Sequence, residues 1–442
     1  MERHRANQPP VRRVLTASGP DPPPEGADML STLTNPNVLL GGLILALVQI
    51  AAALPWLYAL DPKGVKSALG SAANAAYTLL AAVGLGLAFA LFLGYRGDSS
   101  GLTMLGRIYG CALQVQLLVD LFIYFPLLFA YVLPKTGAIA LASYREGWRQ
   151  PMFWLIVLAA FLATWVAVFL PYFTFGEDFK MMKQIGFDIV MLSAILFGVL
   201  ASSISISEEI EGRTALTVMS KPVNRRQFLL GKFFGILMAC GAMSLLLAVN
   251  LNWAFLATIE FDPINKDIAI DPMSEEAKAI VRPLFQQLVP IGPAQQLVEG
   301  TGLWFGETIA ATLGVLLGFG QVMILVAVTT ALATRLPFIV NLVVALVVYF
   351  LGHLAPVIVR VTEMQKEAKN SAVGLVRFFG NVFDTLMPAL DFFSVGPAII
   401  REAPLGLGDF AGYVAVVSGY AVIYTLIALV VGLLLFEDRD LA

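Results

Sequence analysis

From Asn37 onward the chain is built of apolar stretches, most about 20 residues or longer and nearly free of charge. Such stretches leave few folds open. A helix of about 20 apolar residues crosses the hydrocarbon layer of a bilayer. Inside that layer every backbone N–H and C=O must find its partner within the protein. Nine stretches qualify as spans: 38–60, 72–94, 108–132, 152–173, 186–206, 228–258, 307–332, 336–359 and 411–436. A mean hydropathy of +0.80 exceeds what a water-soluble core could bury. The expected fold is therefore an all-α polytopic membrane protein with about nine transmembrane helices. A tenth apolar stretch, 373–400, is interrupted by Gly374, Gly380, Asp384, Pro388, Asp391 and Pro397. It reads as a broken re-entrant or interfacial hairpin, tolerable at membrane depth only where protein or water satisfies its backbone.

Several chemistries are disfavoured at once. The net charge of −3 is close to neutral, and no segment has the basic, aromatic-interleaved character of a nucleic-acid surface. Cys111 and Cys240 each lie in or beside an apolar run, as packed thiols do. His4 in the tail and His353 in a span offer no histidine-based zinc cluster. The stretch "GLTMLGRI" (101–108) has two glycines spaced as in a P-loop. Arg107 and Ile108, however, stand where the phosphate-binding Lys and the magnesium-ligating hydroxyl are needed. No cofactor is expected in this chain. Residues 1–36 form a Pro- and Arg-rich tail expected to be disordered, and Met29 is an alternative start to Met1. The Arg12-Arg13 pair is followed by prolines, not by the short apolar segment of a twin-arginine signal.

Lys and Arg near the span ends set the expected orientation. The connection 207–227 carries Arg213, Lys221, Arg225 and Arg226; 133–150 carries Lys135, Arg145 and Arg149; and the turn near 333–337 carries Arg335. These and the C-terminus are expected in the cytoplasm, with the acid-rich 259–306 and the segment 360–410 outside. Three spans before residue 133 then put the N-terminus outside. Lys63 and Lys66 agree with that placement, whereas Arg96 and Arg107 oppose it. The chain divides into an accessory block of about three spans, 37–132, and a core of six, 133–442, with no internal repeat visible between halves.

Ionisable residues within spans are functional candidates by default. Asp120 is the most central, with Gln114 and Gln116 nearby on the same run; Asp120 and Gln116 are candidates for an intramembrane polar site. Asp188 reads as interfacial, and Asp384 and Asp391 as facing external water. Gly314 and Gly318 have the small-xxx-small spacing of a helix–helix or subunit contact. "YREGWRQPMFW" (144–154) sets basic residues and tryptophans directly before a span, as in an interfacial helix.

One connection holds an unusual density of charge, "SISEEIEGRTALTVMSKPVNRRQFLLGK" (205–232). Glu208, Glu209 and Glu211 close the preceding helix, and Gly212 suits its C-terminal cap. Thr214–Ser220 can form a short helix with Leu216 and Met219 on one face. Pro222 stops that helix at Lys221, and Asn224 with Gln227 reads as a capping box opening the next span. A basic flank serving only orientation needs neither the helix nor its two stops. A docking element for a cytoplasmic partner needs both.

The same residues resemble the signature of ABC-2 type transporter permeases, E-x-G-T-x-x-x-L-x-x-x-P-(V/I)-x-R-x-x-(F/I)-(L/I)-x-G-K. Glu211, Gly212 and Thr214 match its start with Arg213 inserted, and Pro222, Arg225, Phe228, Leu229, Gly231 and Lys232 match the rest. "YREGWRQP" is similar to the amphipathic elbow before the first core span, and "LFEDRDLA" to the family's charged end. The resemblance, running from about residue 133, implies a permease that lacks its own ATPase. It implies a homodimer or heterodimer of such subunits in the bilayer, with ATP and magnesium held by partner ABC ATPase subunits. Thr214–Ser220 would be the coupling helix, flanked by Glu211, Gly212, Arg213, Pro222, Arg225 and Arg226, and 373–400 the extracellular re-entrant element. Export across the cell membrane is the expected direction and location. Residues 1–132 depart from the six-span pattern. Two other classes stay open: an ion-coupled secondary transporter using an acid such as Asp120, and a non-transporting membrane scaffold.

Overall fold

The computed structural model describes residues 36–70, 72–95, 99–169, 178–211, 224–261, 293–364, 387–396 and 406–437, with isolated positions between 276 and 283 and between 378 and 382. The tail 1–35, the segment 212–223 that includes the expected coupling helix, most of the two expected external loops and most of the 373–400 hairpin lie outside the described residues.

The described chain is helical throughout: α1 Pro36–Leu60, α2 Pro62–Gly70, α3 Ala72–Tyr95, α4 Ser99–Val132, α5 Pro134–Arg149, α6 Pro151–Phe169, α7 Asp178–Glu211, α8 Arg225–Phe261, α9 Pro293–Ala333, α10 Phe338–Met364, a 3-10 turn Leu390–Phe393, and α11 Leu407–Glu437. Eight of the helices are long and apolar enough to cross a membrane, and α10 contributes a shorter apolar helix, Phe338–Leu354. This is an all-α polytopic membrane protein. The helices overrun the expected spans. α9 starts at Pro293, inside the stretch assigned to an external loop, and α4 starts at Ser99. The P-loop-like residues 101–108 are thus helical.

Both overruns have one cause. α4 and α9 run parallel and approach through glycine. A Cβ added at Gly300 would strike the Thr103 carbonyl and come within 3.0 Å of the Gly106 Cα. Thr301 donates to the Gly106 carbonyl (3.1 Å), and the Trp304 indole donates to Gln114 (2.7 Å). Between helices surrounded by lipid there is no hydrophobic drive to associate, so close backbone contact and hydrogen bonds take its place. The accessory helices are thereby fixed to the core. α1 runs parallel to α4, with Tyr109 donating to the Leu45 carbonyl (3.2 Å) and Tyr124 to that of Pro55 (2.6 Å). α3 packs on α1 where Gly42 meets Gly86 and Ala90.

Because α1 and α4 are parallel, Lys63 and Lys66 on α2 lie at the end of the bundle where α4 passes into α5. The connections carrying Lys135, Arg225 and Arg335 gather at that same end. The basic segments of core and accessory block thus share one face, and Arg107, eight residues into α4, sits toward the other.

The elbow α5 packs lengthwise on the start of α8. Its buried residues are Gly137, Ala140, Ser143, Tyr144 and Gly147; Gly137 meets Ala130 of α4, and the others are set against Gly235 and Ala239 of α8. Pro126 inside α4 removes the N–H that would have paired with the Phe122 carbonyl. The Tyr144 hydroxyl donates to that carbonyl instead (3.1 Å). Burial raises the Tyr144 phenol to about 12, which keeps it a donor. At Gln150 the backbone turns extended, and Pro151 opens α6. Trp148, Phe153 and Trp154 stack at this break with ring centroids 5.2–5.7 Å apart.

Gly314 and Gly318 serve a contact within the chain: Gly314 faces the Phe187 ring and Gly318 the Met191 side chain, both on α7. Cys111 and Cys240 are buried free thiols, as the sequence suggested.

The α4–α9 seam is testable. Leucine at Gly300 must push α4 away, an overpacking that costs on the order of 1–3 kcal/mol. Gly300→Leu is expected to lower the thermal unfolding midpoint in detergent more than Gly84→Leu, whose added atoms meet open space. Equal midpoints would show that the accessory block does not depend on this contact.

Candidate functional site

The residues that flank the 212–223 connection converge on a compact hub. α7 delivers Ser205, Ile206 and Glu209; α8 delivers Arg225, Phe228, Leu229 and Lys232. The end of α11 and the α9–α10 turn complete it. Asn224 precedes α8 as its N-cap: the Gln227 side chain accepts from the Asn224 N–H (3.2 Å). That is one half of the capping box expected at this position.

Lys232 is buried to 5% side-chain exposure. A lone ammonium there would be costly, and the fold supplies Glu209 at 2.6 Å, Ser205 at 2.9 Å and Glu146 of the elbow at 3.6 Å. One charge therefore ties α5, α7 and α8 together. Two arginines do the same for α11. The last carbonyls of any helix have no intrahelical donors and carry its partial negative charge. Arg225 donates to Phe436 and Glu437, both at 2.9 Å, and Arg335 to Leu435 at 2.7 Å. Arg225 also lies over the Phe436 ring, 5.7 Å from its centroid. Arg226 is more exposed and reaches Glu437 at 3.5 Å. Phe228, Leu229, Ile206, Ala333 and Phe436 form the apolar floor beneath these charges.

Just inside the hub, Asn341 of α10 is fully buried. It donates to Ser203 of α7 (2.9 Å) and to the Thr329 carbonyl of α9 (3.1 Å), while Ser202 and Thr329 share a 2.7 Å hydrogen bond. A polar belt thus joins α7, α9 and α10.

Of the residues named for the coupling segment, Gly212, Arg213, Thr214, Leu216 and Pro222 lie outside the described residues. Glu211 is the last residue of α7. Arg225 turns inward onto α11. Asp120 and Gln116 are part-buried on α4; Asp120 Oδ1 and Gln116 Oε1 have no hydrogen-bond partner among the described residues. Neither residue lines the apolar cavity of about 360 Å³ among Phe122, Phe129, Tyr144 and Phe234 or the cavity of about 450 Å³ between α7, α9, α10 and the 3-10 turn. Gln114 is taken by Trp304.

Sequence reasoning missed three features. The first is the arginine capping of α11, which links residues 100 to 212 positions apart and leaves no local signal. The second is the α4–α9 seam, whose signal was Gly106 and Gly110 at small-xxx-small spacing. The third is that Asp188 and His353 meet in one cavity.

Residues 148–273, spanning the start of the core from Trp148 through α8, match a family model described as ABC-2 family transporter protein. The signature resemblance is upheld over this segment, just over a quarter of the chain, as that of an ABC-2 type permease. No curated protein and no solved structure matches the chain.

The hub makes a specific prediction. Lys232→Met leaves the Glu209 carboxylate without its ammonium; breaking such a buried pair costs about 3–5 kcal/mol, toward the lower end here because Glu209 keeps 28% exposure. Thermal unfolding of Lys232→Met is expected several degrees below the parent, and Lys232→Met with Glu209→Gln is expected to regain much of the loss. A double variant no more stable than the single would show that the pair is not what matters.

Proposed function

We propose that this chain is the membrane-spanning subunit of an ABC-2 type transporter, driven by ATP hydrolysed on a separate ABC ATPase and working as a pair of permease subunits. One observation carries the reading. The connection 212–223 joins two helices whose neighbouring ends are locked to each other by Lys232 and Glu209 and to α11 by Arg225. A partner that grips this connection moves α7, α8 and α11 as one body. The family match over 148–273 supports the permease class. The basic end of the bundle is the cytoplasmic one in this reading, by the excess of Lys and Arg in its short connections. Export is the direction we favour. The ion-coupled alternative draws no support from Asp120 or Gln116, which line neither cavity.

The test is co-purification with an ATPase encoded beside the gene. Deleting residues 214–220 is expected to abolish the permease's effect on ATPase turnover while leaving the unfolding midpoint within a degree or two, because the hub contacts are spared. Arg225→Glu is expected to lower the midpoint as well, since it removes the α11 cap. Unchanged turnover and assembly after the 214–220 deletion would sink the coupling assignment.

A further inference from the structure

Farther from the basic end, about 18 Å along α9 from Ala333 at 1.5 Å per residue, a cavity of about 450 Å³ opens between α7, α9, α10 and the 3-10 turn. That volume is typical of sites for small organic ligands. Most of the wall is apolar, and its polar side chains are Asp188, Asp391, Gln321 and His353 with the hydroxyls of Tyr349 and Ser394. Asp188 and Asp391 bring carboxylates. Asp188 has no hydrogen bond or ion pair among the described residues and lies within electrostatic reach of His353. Gln321, 6% exposed, donates to the Leu390 carbonyl (2.9 Å), which fixes its amide orientation and leaves its Oε1 without a donor among the described residues. His353 Nδ1 lies 2.9 Å from the Tyr349 carbonyl. A carbonyl only accepts, so Nδ1 carries the proton and Nε2 accepts from the Gln321 amide N–H at 3.5 Å. No described Lys or Arg lines the cavity.

The cavity therefore presents the Asp188 carboxylate and the Gln321 amide oxygen as acceptors beside the aromatic rings of Phe187, Tyr349 and Phe393. Acceptors with net negative charge call for a cation that donates hydrogen bonds, and aromatic faces add to its attraction. A metal ion fits poorly, since among the described residues no three His, Cys, Asp or Glu side chains gather as a metal site, and the greater part of the wall would face a hydrated ion with hydrocarbon. We infer that this cavity binds the protonated amine of an organic cation with an apolar body, its ammonium at Asp188 and its body against Phe187 and Phe393. As the substrate class of the transporter, this rests on the permease reading; as a binding site it does not.

The experiment uses the full chain in phosphatidylcholine nanodiscs, without any ATPase, so its outcome is independent of the coupling test. Fluorescence anisotropy follows 9-aminoacridine, cationic at neutral pH, and its neutral counterpart acridine, with empty discs subtracted. Saturable binding of 9-aminoacridine, about tenfold tighter than acridine, is expected. Asp188→Asn is expected to remove that preference and Asp188→Glu to keep most of it. Ser394→Arg, which brings a cation to the wall, is expected to extinguish amine binding. Asp120→Asn, on a helix that does not line the cavity, is expected to change nothing. Equal affinity of the unaltered protein for the two probes overturns the proposal without recourse to any variant, as does full amine binding by a folded Asp188→Asn or Ser394→Arg.

Discussion

An ammonium group as buried as that of Lys232 stays charged only if the fold surrounds it with acceptors, and doing so commits three helices at once. Glu209 comes from the end of α7, Ser205 from the turn before it, and Glu146 from the elbow α5. For Lys232 to reach them, α5 must lie close against α8. Gly231 and Gly235 allow this: a Cβ at either would run into Thr136, Ile139, Ala140 or Ser143. The adjacent Gly and Lys of the signature are thus a single device, one residue clearing the space and the next using it. Phe228 and Leu229 supply the floor, and Arg225 closes the free carbonyls of α11. Each signature residue from Arg225 onward has an inward, structural task. What remains for a partner to touch is the stretch before it.

The membrane-facing part of the molecule obeys the same need by other means. Where proline interrupts α4, a tyrosine from the elbow satisfies the released carbonyl. Where helices must associate without a hydrophobic drive, glycine pairs four residues apart let them approach: Gly106 and Gly110 toward α9 and Gly231 and Gly235 toward α5 admit backbone, and Gly314 and Gly318 admit the Phe187 and Met191 side chains of α7. Of the accessory helices it is α4 that these seams tie to α9, and α1 and α3 follow through their contacts with α4 and with each other.

Much of this was legible in the sequence because membrane folding is written in local terms. The apolar stretches themselves, the turn at 333–337, the break before Pro151 and the cap at Asn224 each rest on residues close together in the chain. The long-range matches were not legible. Arg225 and Phe436 pair across 211 positions, and nothing in either neighbourhood names the other. Asp188 was read as interfacial and Asp391 as facing water because each was weighed alone. Only the packing of α7, α9 and α10 shows that they share a cavity with His353. The overrun of α9 into a supposed loop failed for a different reason: Gly300 and Gly302 look like loop residues until α4 arrives to need the space at Gly300.

The hub and the cavity are not separate elements, since α7 serves both. Glu209 at one end and Asp188 nearer the other are 21 residues apart on an unbroken helix that contains no proline, a separation of about 31 Å. α10 repeats the arrangement, with Asn341 in the polar belt and His353 at the cavity. A cavity whose walls are rigid helices changes shape when those helices tilt, not when single side chains rearrange. A tilt of α7 at the hub therefore also displaces the Asp188 carboxylate, with or without His353 according to whether Asn341 carries α10 along. The belt of Ser202, Ser203, Thr329 and Asn341 lies between the two sites and decides which. Held intact, it makes α7 and α10 turn together and keeps Asp188 beside His353; opened, it lets the two part.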